Sequence, residues 1–113
     1  MLKIYHNPRC SKSRETLKLL EAQGVKPEIV EYLKTPPSAE ELKTIVRKLG
    51  VKPEALIRKK ETIFKEKYAG KNMSDDQWIQ AIVKDPVLLE RPIVVTGKKA
   101  AVGRPPENVL KIL

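Results

Sequence analysis

The chain is 113 residues long, with 33% charged, 41% hydrophobic and 4% aromatic residues and a formal net charge of +9. The length predicts one domain with a single hydrophobic core, and the charge predicts attraction to anions. Nucleic acid is disfavoured as a partner, because the basic residues are scattered among carboxylates, aromatic residues are few and no base-reading motif occurs.

The single cysteine excludes an internal disulfide. No stretch approaches the roughly 20 apolar residues of a membrane span, and none has the layout of a signal peptide. We therefore expect the protein to be in the cytoplasm, which is a reducing compartment, and not to associate with membranes. We also expect it to be a monomer.

The first third of the chain has the pattern of a βαβ unit. Residues 2–5 and 28–32 are predicted strands, and residues 10–22 between them are a predicted helix that ends at Gly24. The two strands of such a unit are parallel. Ligands of open α/β sheets bind beyond the carboxyl ends of the strands, which is where Cys10 falls.

Cys10 stands at the predicted start of the helix, and this placement is typical of a reactive thiol. A helix N-terminus carries unpaired N–H groups and a partial positive charge, and Arg9 and Arg14 add full charges nearby, so the thiolate is favoured. The alternative is a buried structural cysteine. Such cysteines prefer apolar neighbours, whereas the neighbours here are polar and cationic.

Three polar residues near Cys10 are further candidates. His6, the only histidine, could pair with the thiolate or give a proton to a bound anion, although a histidine at a strand end is often structural. The Ser13 hydroxyl could hydrogen-bond to the thiolate and Asn7 could brace the loop, or both could be ordinary caps. Ser13 stands where a Cys-x-x-Cys pair has its second thiol, so a resolving thiol must come from outside the chain.

The middle of the chain is predicted to be helical. Capping boxes at residues 38–41 and 74–77 begin two helices. A short helix opens at Pro53 and reaches Ile57, and the charged run at residues 58–67 is predicted to be an exposed helix.

The last third is predicted to be a β-hairpin, with strands at residues 93–96 and 100–102, and then a helix begun by Pro105 and Pro106. A βαβ unit, an insertion and a ββα unit follow one another in the thioredoxin fold. That fold places a cis-proline opposite the thiol, and Pro92 stands at the matching position.

We therefore predict a single α/β domain over residues 1–113 of the thioredoxin-like, or glutaredoxin-like, class. Its mixed four-stranded sheet is flanked by helices, and a helical insertion at about residues 38–90 separates its two halves.

Four separated segments resemble the glutaredoxin-coupled arsenate reductase (ArsC) family, in particular its short chromosomal members. The segments are residues 6–14, 56–59, 90–95 and 103–105, and they occur in the order expected for the family. The resemblance implies a catalytic cysteine, an accompanying histidine and three arginines that bind the oxyanion. These positions are Cys10, His6, Arg58, Arg91 and Arg104.

The arginines also have a physical rationale, because an oxyanion needs planar, permanently charged donors that grip two oxygens at once. The alternative for a surface arginine is simple solvation, with its stem lying over apolar residues. Taken alone, the residues favour solvation for Arg58 and leave both readings open for Arg91 and Arg104.

The resemblance implies that the Cys10 thiolate attacks arsenate with loss of water or hydroxide, and that glutathione and glutaredoxin complete the reduction to arsenite. Glutathione is then a co-substrate, and we expect no bound cofactor and no metal. One alternative is a regulatory protein of the related Spx type that binds RNA polymerase; those members usually carry Cys-x-x-Cys, and Ser13 departs from that pattern. The other is a housekeeping glutathione-linked thiol enzyme that acts on another small oxyanion.

Overall fold

The computed structural model of the protein describes residues 2–113, which fall into two compact units. The first unit holds the described residues up to Thr35 together with Arg91–Leu113, and the second holds Pro36–Glu90. The single domain over residues 1–113 with its helical insertion stays a prediction.

The first unit is built on a mixed four-stranded sheet. Its strands are β1 (Lys3–His6), β2 (Glu28–Glu31), β3 (Ile93–Val95) and β4 (Ala100–Val102). The strand order is β2-β1-β3-β4, in which β1 and β2 are parallel and the other neighbours are antiparallel. The predicted thioredoxin-like sheet is confirmed.

Helix α1 (Ser11–Ala22) connects β1 to β2. Fully buried apolar side chains from β1, α1, β3 and the C-terminal segment form the core of this unit: Ile4, Leu20, Val94 and Val109. The C-terminal segment was predicted to be a helix begun by Pro105 and Pro106. It is a 3₁₀-helix over Pro106–Ile112, and Pro105, with extended backbone angles, is its N-cap residue.

The register of the sheet brings three chain segments together at one end of its strands. Tyr5 of β1 pairs with Ile93 of β3, and Ile93 pairs with Val102 of β4. The loop after β1, the segment before β3 and the segment after β4 therefore leave the sheet side by side. Cys10 lies in the first of these segments, and Arg91 lies in the second.

The second unit is helical. Its helices are α2 (Ala39–Leu49), α3 (Thr62–Lys67) and α4 (Asp75–Lys84), with short 3₁₀-helices at Pro53–Leu56 and Pro86–Leu88. Both predicted capping boxes are confirmed, since the Ser38 and Ser74 hydroxyls each accept a hydrogen bond from the backbone N–H three residues later, and their own N–H groups donate to the side chains of Glu41 and Gln77.

The prediction of one helix over residues 58–67 was wrong, because α3 begins only at Thr62. Ile57 forms an isolated β-bridge with Leu89, and the Arg58 N–H donates to the Leu88 carbonyl at 2.7 Å. These bonds to a segment about 30 residues further along the chain hold the backbone at residues 57–58 in an extended form, so the helix cannot start there. For the same reason the helix that opens at Pro53 stops before Ile57.

None of the helices within residues 2–113 combines the length and the apolar character needed to cross a lipid bilayer.

Candidate active site

Cys10 is the N-cap residue of α1, with extended backbone angles of φ −95° and ψ 123°. Its N–H donates to the Asn7 carbonyl at 3.0 Å, and its own carbonyl accepts the Arg14 N–H at 3.0 Å. The residue is only 9% exposed. The backbone of the loop and of the first helical turn therefore fixes where the thiol points.

Two guanidinium groups lie against the Cys10 sulfur. The Arg104 Nη2 donates to Cys10 Sγ at 3.3 Å, and the Arg91 side chain also hydrogen-bonds to the thiol. The Ser13 backbone N–H, in the first turn of α1, also favours the ionised sulfur. A thiolate in these surroundings is a nucleophile placed beside two permanently charged groups that can bind an anion.

The surroundings favour the ionised sulfur. Burial raises the pKa of the Cys10 thiol. The pKa is lowered by a larger amount by three neighbours, namely the Ser13 N–H, the hydrogen bond and charge of Arg91, and the charge of Arg104. The pKa of Cys10 thus lies below the ordinary value of a cysteine, as its place at a helix N-terminus predicts.

Arg91 and Arg104 are tied to each other through the backbone. The Arg104 Nε donates to the Arg91 carbonyl at 2.7 Å, and the Gly103 N–H donates to the Pro92 carbonyl at 2.9 Å. These bonds extend the pairing of β3 and β4 beyond the sheet. The Arg91–Pro92 peptide is cis, and so is Arg104–Pro105, which the sequence did not indicate.

The Ser13 hydroxyl was expected to reach the thiolate, and the structure gives it other partners. Its Oγ lies 2.6 Å from His6 Nδ1 and accepts the Asn7 N–H at 3.0 Å. The reason is geometric: the loop turns back over the first turn of α1, so the hydroxyl faces the end of β1.

His6 therefore has the Ser13 hydroxyl, and not the thiol, as its hydrogen-bond partner. The histidine is 6% exposed, and Ser13 is fully buried. Burial lowers the pKa of His6, Glu31 raises it and Arg14 lowers it again, with a net fall below the ordinary value. The neutral imidazole is favoured, and in that form Nδ1 can accept the Ser13 O–H.

The other predicted loop residues brace the segment between β1 and α1. Asn7 Oδ1 accepts the Arg9 N–H at 3.0 Å, which closes a local turn. The Arg14 Nη1 donates to the Pro8 carbonyl at 3.0 Å. The Asn7 and Arg14 side chains thus brace the loop, whereas Arg9 takes part through its backbone N–H.

Arg58 lies in the second unit, and its guanidinium is bound by two carboxylates there. Its Nε donates to Glu61 at 3.1 Å, and its Nη1 donates to Glu90 at 2.8 Å. Burial lowers the pKa of Arg58, but the two carboxylates raise it by more. The role of Arg58 in binding an oxyanion stays a prediction. Glu61 and Glu90 themselves were missed; the i,i+3 spacing of Glu61 could have indicated the first contact.

Within residues 2–113, His, Cys, Asp and Glu side chains form no group of three or more that could hold a metal ion. The chemistry that the described groups of the first unit can perform is nucleophilic attack by the Cys10 thiolate on the central atom of an oxyanion. The oxygens of that anion would be held by Arg91 and Arg104.

Comparison with known proteins identifies the family. The ArsC family model matches residues 5–112. The uncharacterized protein YfgD of Escherichia coli is 53% identical over 99% of this chain and 96% of its own length. The arsenate reductase of Neisseria meningitidis serogroup A is 49% identical over 99% of this chain and 97% of its own. The solved structure of the arsenate reductase from Vibrio cholerae is 52% identical, with a TM-score of 0.95 over 99% of this chain and 97% of that chain. The chain, as its four sequence motifs predict, belongs to the ArsC family.

Proposed function

We propose that the protein is an arsenate reductase that uses glutathione as its co-substrate. The observation that carries this proposal is the Cys10 sulfur bound by the Arg104 guanidinium at 3.3 Å, with Arg91 as a second donor. Relatives from Neisseria meningitidis and Vibrio cholerae that match nearly the whole chain are named arsenate reductases. Arsenate is a tetrahedral oxyanion, which suits bidentate guanidinium donors.

The first chemical step is attack of the Cys10 thiolate on the arsenic of arsenate. A sulfur–arsenic bond forms, an arsenic–oxygen bond breaks, and the oxygen leaves as water or hydroxide. Arsenic stays pentavalent in this step. Arg91 and Arg104 hold the remaining oxygens and stabilise the charge that gathers on them.

The reduction is completed by external thiols. A glutathione thiolate attacks the Cys10 sulfur and forms a mixed disulfide, and the electron pair of the sulfur–arsenic bond passes to arsenic, which leaves as trivalent arsenite. Glutaredoxin then removes the glutathione by thiol–disulfide exchange and restores the Cys10 thiolate. The chain has one cysteine, so an internal disulfide cannot perform this step.

The remaining residues have supporting roles in this proposal. Arg58 is a third ligand of the oxyanion in this proposal, as the family resemblance implies. The hydrogen bond between His6 and Ser13 holds the end of β1 against the first turn of α1. The reaction requires reduced glutathione, which accords with a protein that works in the cytoplasm, and we propose that it acts as a monomer.

The test is an assay of arsenate-dependent NADPH oxidation with glutathione, glutathione reductase and glutaredoxin, with the Cys10→Ser variant as the blank. We expect turnover that needs arsenate and all of the thiol components. A folded wild-type protein that gives no arsenate-dependent oxidation would overturn the proposal. Turnover of a different oxyanion would favour a housekeeping thiol enzyme, and tight binding of RNA polymerase without turnover would favour an Spx-type regulator.

A further inference from the structure

Gly103 is buried at a point where a side chain has no room. A Cβ atom built there would lie 2.5 Å from the Thr16 Oγ1 and 2.7 Å from the Pro92 Cγ. The glycines with positive φ are Gly24, Gly50 and Gly70, so Gly103 is not required for a left-handed backbone. Space, not backbone conformation, demands glycine at this position.

Thr16 supplies the other side of this contact. The residue is fully buried on α1, and its hydroxyl donates to the Lys12 carbonyl at 2.8 Å, with the Gly103 carbonyl a longer acceptor at 3.5 Å. The hydroxyl is thus held by its own helix and cannot easily turn away from Gly103. The helix meets the segment after β4 at this point.

The same contact joins the two chain segments that carry the thiol and Arg104. Cys10 caps α1, less than two turns before Thr16, while Gly103 directly precedes Arg104. The Gly103 N–H bonds to the carbonyl of Pro92, the residue that follows Arg91. A shift of α1 away from Gly103 would therefore lengthen the 3.3 Å contact between Cys10 Sγ and the Arg104 guanidinium.

We propose that Thr16 and Gly103 are positioning residues, whose close contact sets the distance between the Cys10 sulfur and the arginine pair. Neither residue touches the substrate in this proposal. The inference concerns the site of the proposed function, but its main readout, alkylation of Cys10, needs no turnover of arsenate and is therefore decided independently.

The first experiment compares Gly103→Ala with Gly97→Ala. Both add one methyl group to the segment that begins with β3, but a Cβ at Gly97 meets nothing within 4 Å. The apparent pKa of Cys10 is measured from the pH dependence of its alkylation by iodoacetamide. We expect Gly103→Ala to slow alkylation about threefold at pH values below the pKa, as a weakened thiolate should, and Gly97→Ala to match the wild type.

The second experiment asks whether the effect passes through Thr16. Thr16→Ala removes the two threonine atoms nearest to a new methyl at position 103, Oγ1 at 2.5 Å and Cγ2 at 3.1 Å. Alone it leaves a gap, and together with Gly103→Ala the new methyl group fills part of that gap, while its contact with the Pro92 Cγ at 2.7 Å remains. We therefore expect the double variant to alkylate faster than Gly103→Ala, which is a non-additive result for residues in contact.

Circular dichroism shows whether each variant is folded. If Gly103→Ala fails to fold, Thr16→Ala and Thr16→Ser decide the question: the alanine variant should alkylate more slowly, and the serine variant, which keeps the hydroxyl, should recover. A folded Gly103→Ala with the wild-type pH profile overturns the proposal. So does a double variant that loses the sum of the two single effects, or a Thr16→Ala with an unchanged Cys10 pKa.

Discussion

The two units of the molecule hold their arginines in different ways. In the first unit, Arg104 donates to the Arg91 carbonyl at 2.7 Å and to the Cys10 sulfur at 3.3 Å. In the second unit, Arg58 is bound by two carboxylates, Glu61 and Glu90. An anion that approaches Arg58 must compete with these two carboxylates for the guanidinium. Residues of one type, all assigned by the same family resemblance, should therefore contribute unequally.

The largest effect on activity should come from replacing Cys10, whose thiol the arginine of the first unit contacts. Cys10→Ser should abolish reductase activity while the protein stays folded, because the hydroxyl remains protonated where the thiol ionises. Steady-state kinetics in the glutathione-coupled assay and circular dichroism check this result. Activity close to that of the wild type would remove Cys10 from the role of nucleophile.

Next in size should be the lysine variants of the first unit. Arg104→Lys and Arg91→Lys keep the charge but lose the planar fork, so kcat/KM should fall roughly 10- to 100-fold, as expected for a lost charged hydrogen bond of about 1.5–3 kcal/mol. Both variants should also raise the alkylation pKa of Cys10. If both retain full efficiency, charge alone is sufficient and the bidentate site is wrong.

A smaller effect is expected from Arg58→Lys. The substitution should mainly raise KM, by roughly two- to fivefold, because the guanidinium of the wild type is already bound to carboxylates. The alkylation pKa of Cys10 should not change, in contrast to the variants of Arg91 and Arg104. A loss of kcat as large as that of Arg104→Lys would erase the proposed difference between the two units.

The smallest effect should appear in the pH dependence of stability. The pKa of His6 is lowered in the folded protein, so protonation favours the unfolded chain. Its contribution to stability is fully present above the ordinary pKa near 6.5 and is lost as the pH falls through that value towards the folded pKa. Thermal melting between about pH 5.5 and 7.5 should show this fall in the wild type, and His6→Gln should reduce it. His6 is the only histidine, so an unchanged slope in His6→Gln would exclude imidazole titration as its cause.

Local sequence signals predicted the framework of the molecule well. The alternation of strand and helix patterns gave the mixed sheet, and the capping boxes at Ser38 and Ser74 marked the starts of α2 and α4 correctly. The start of α1 followed from the same kind of signal, to within one residue. These features are local, because each depends on residues a few positions apart.

The features that the sequence did not indicate depend on contacts between residues far apart in the sequence or on the direction in which one side chain points. Glu90 binds Arg58 from 32 residues away, and no spacing rule links the two. The extended backbone at Ile57 results from a bridge to Leu89, which overrode the helical composition of residues 58–67. The Ser13 hydroxyl bonds to His6 and to the Asn7 N–H, and only the fold of the loop determines that it does so.

Two nitrogens of the Arg104 guanidinium are bound within the protein, since Nε donates to the Arg91 carbonyl and Nη2 donates to the Cys10 sulfur. These two bonds fix the orientation of the guanidinium. Free arginine side chains carry about 2 kcal/mol of rotamer entropy, much of which an incoming ligand would otherwise have to remove. Here the fold has already removed it, so anion binding at this site is preorganised and should require little rearrangement of the protein.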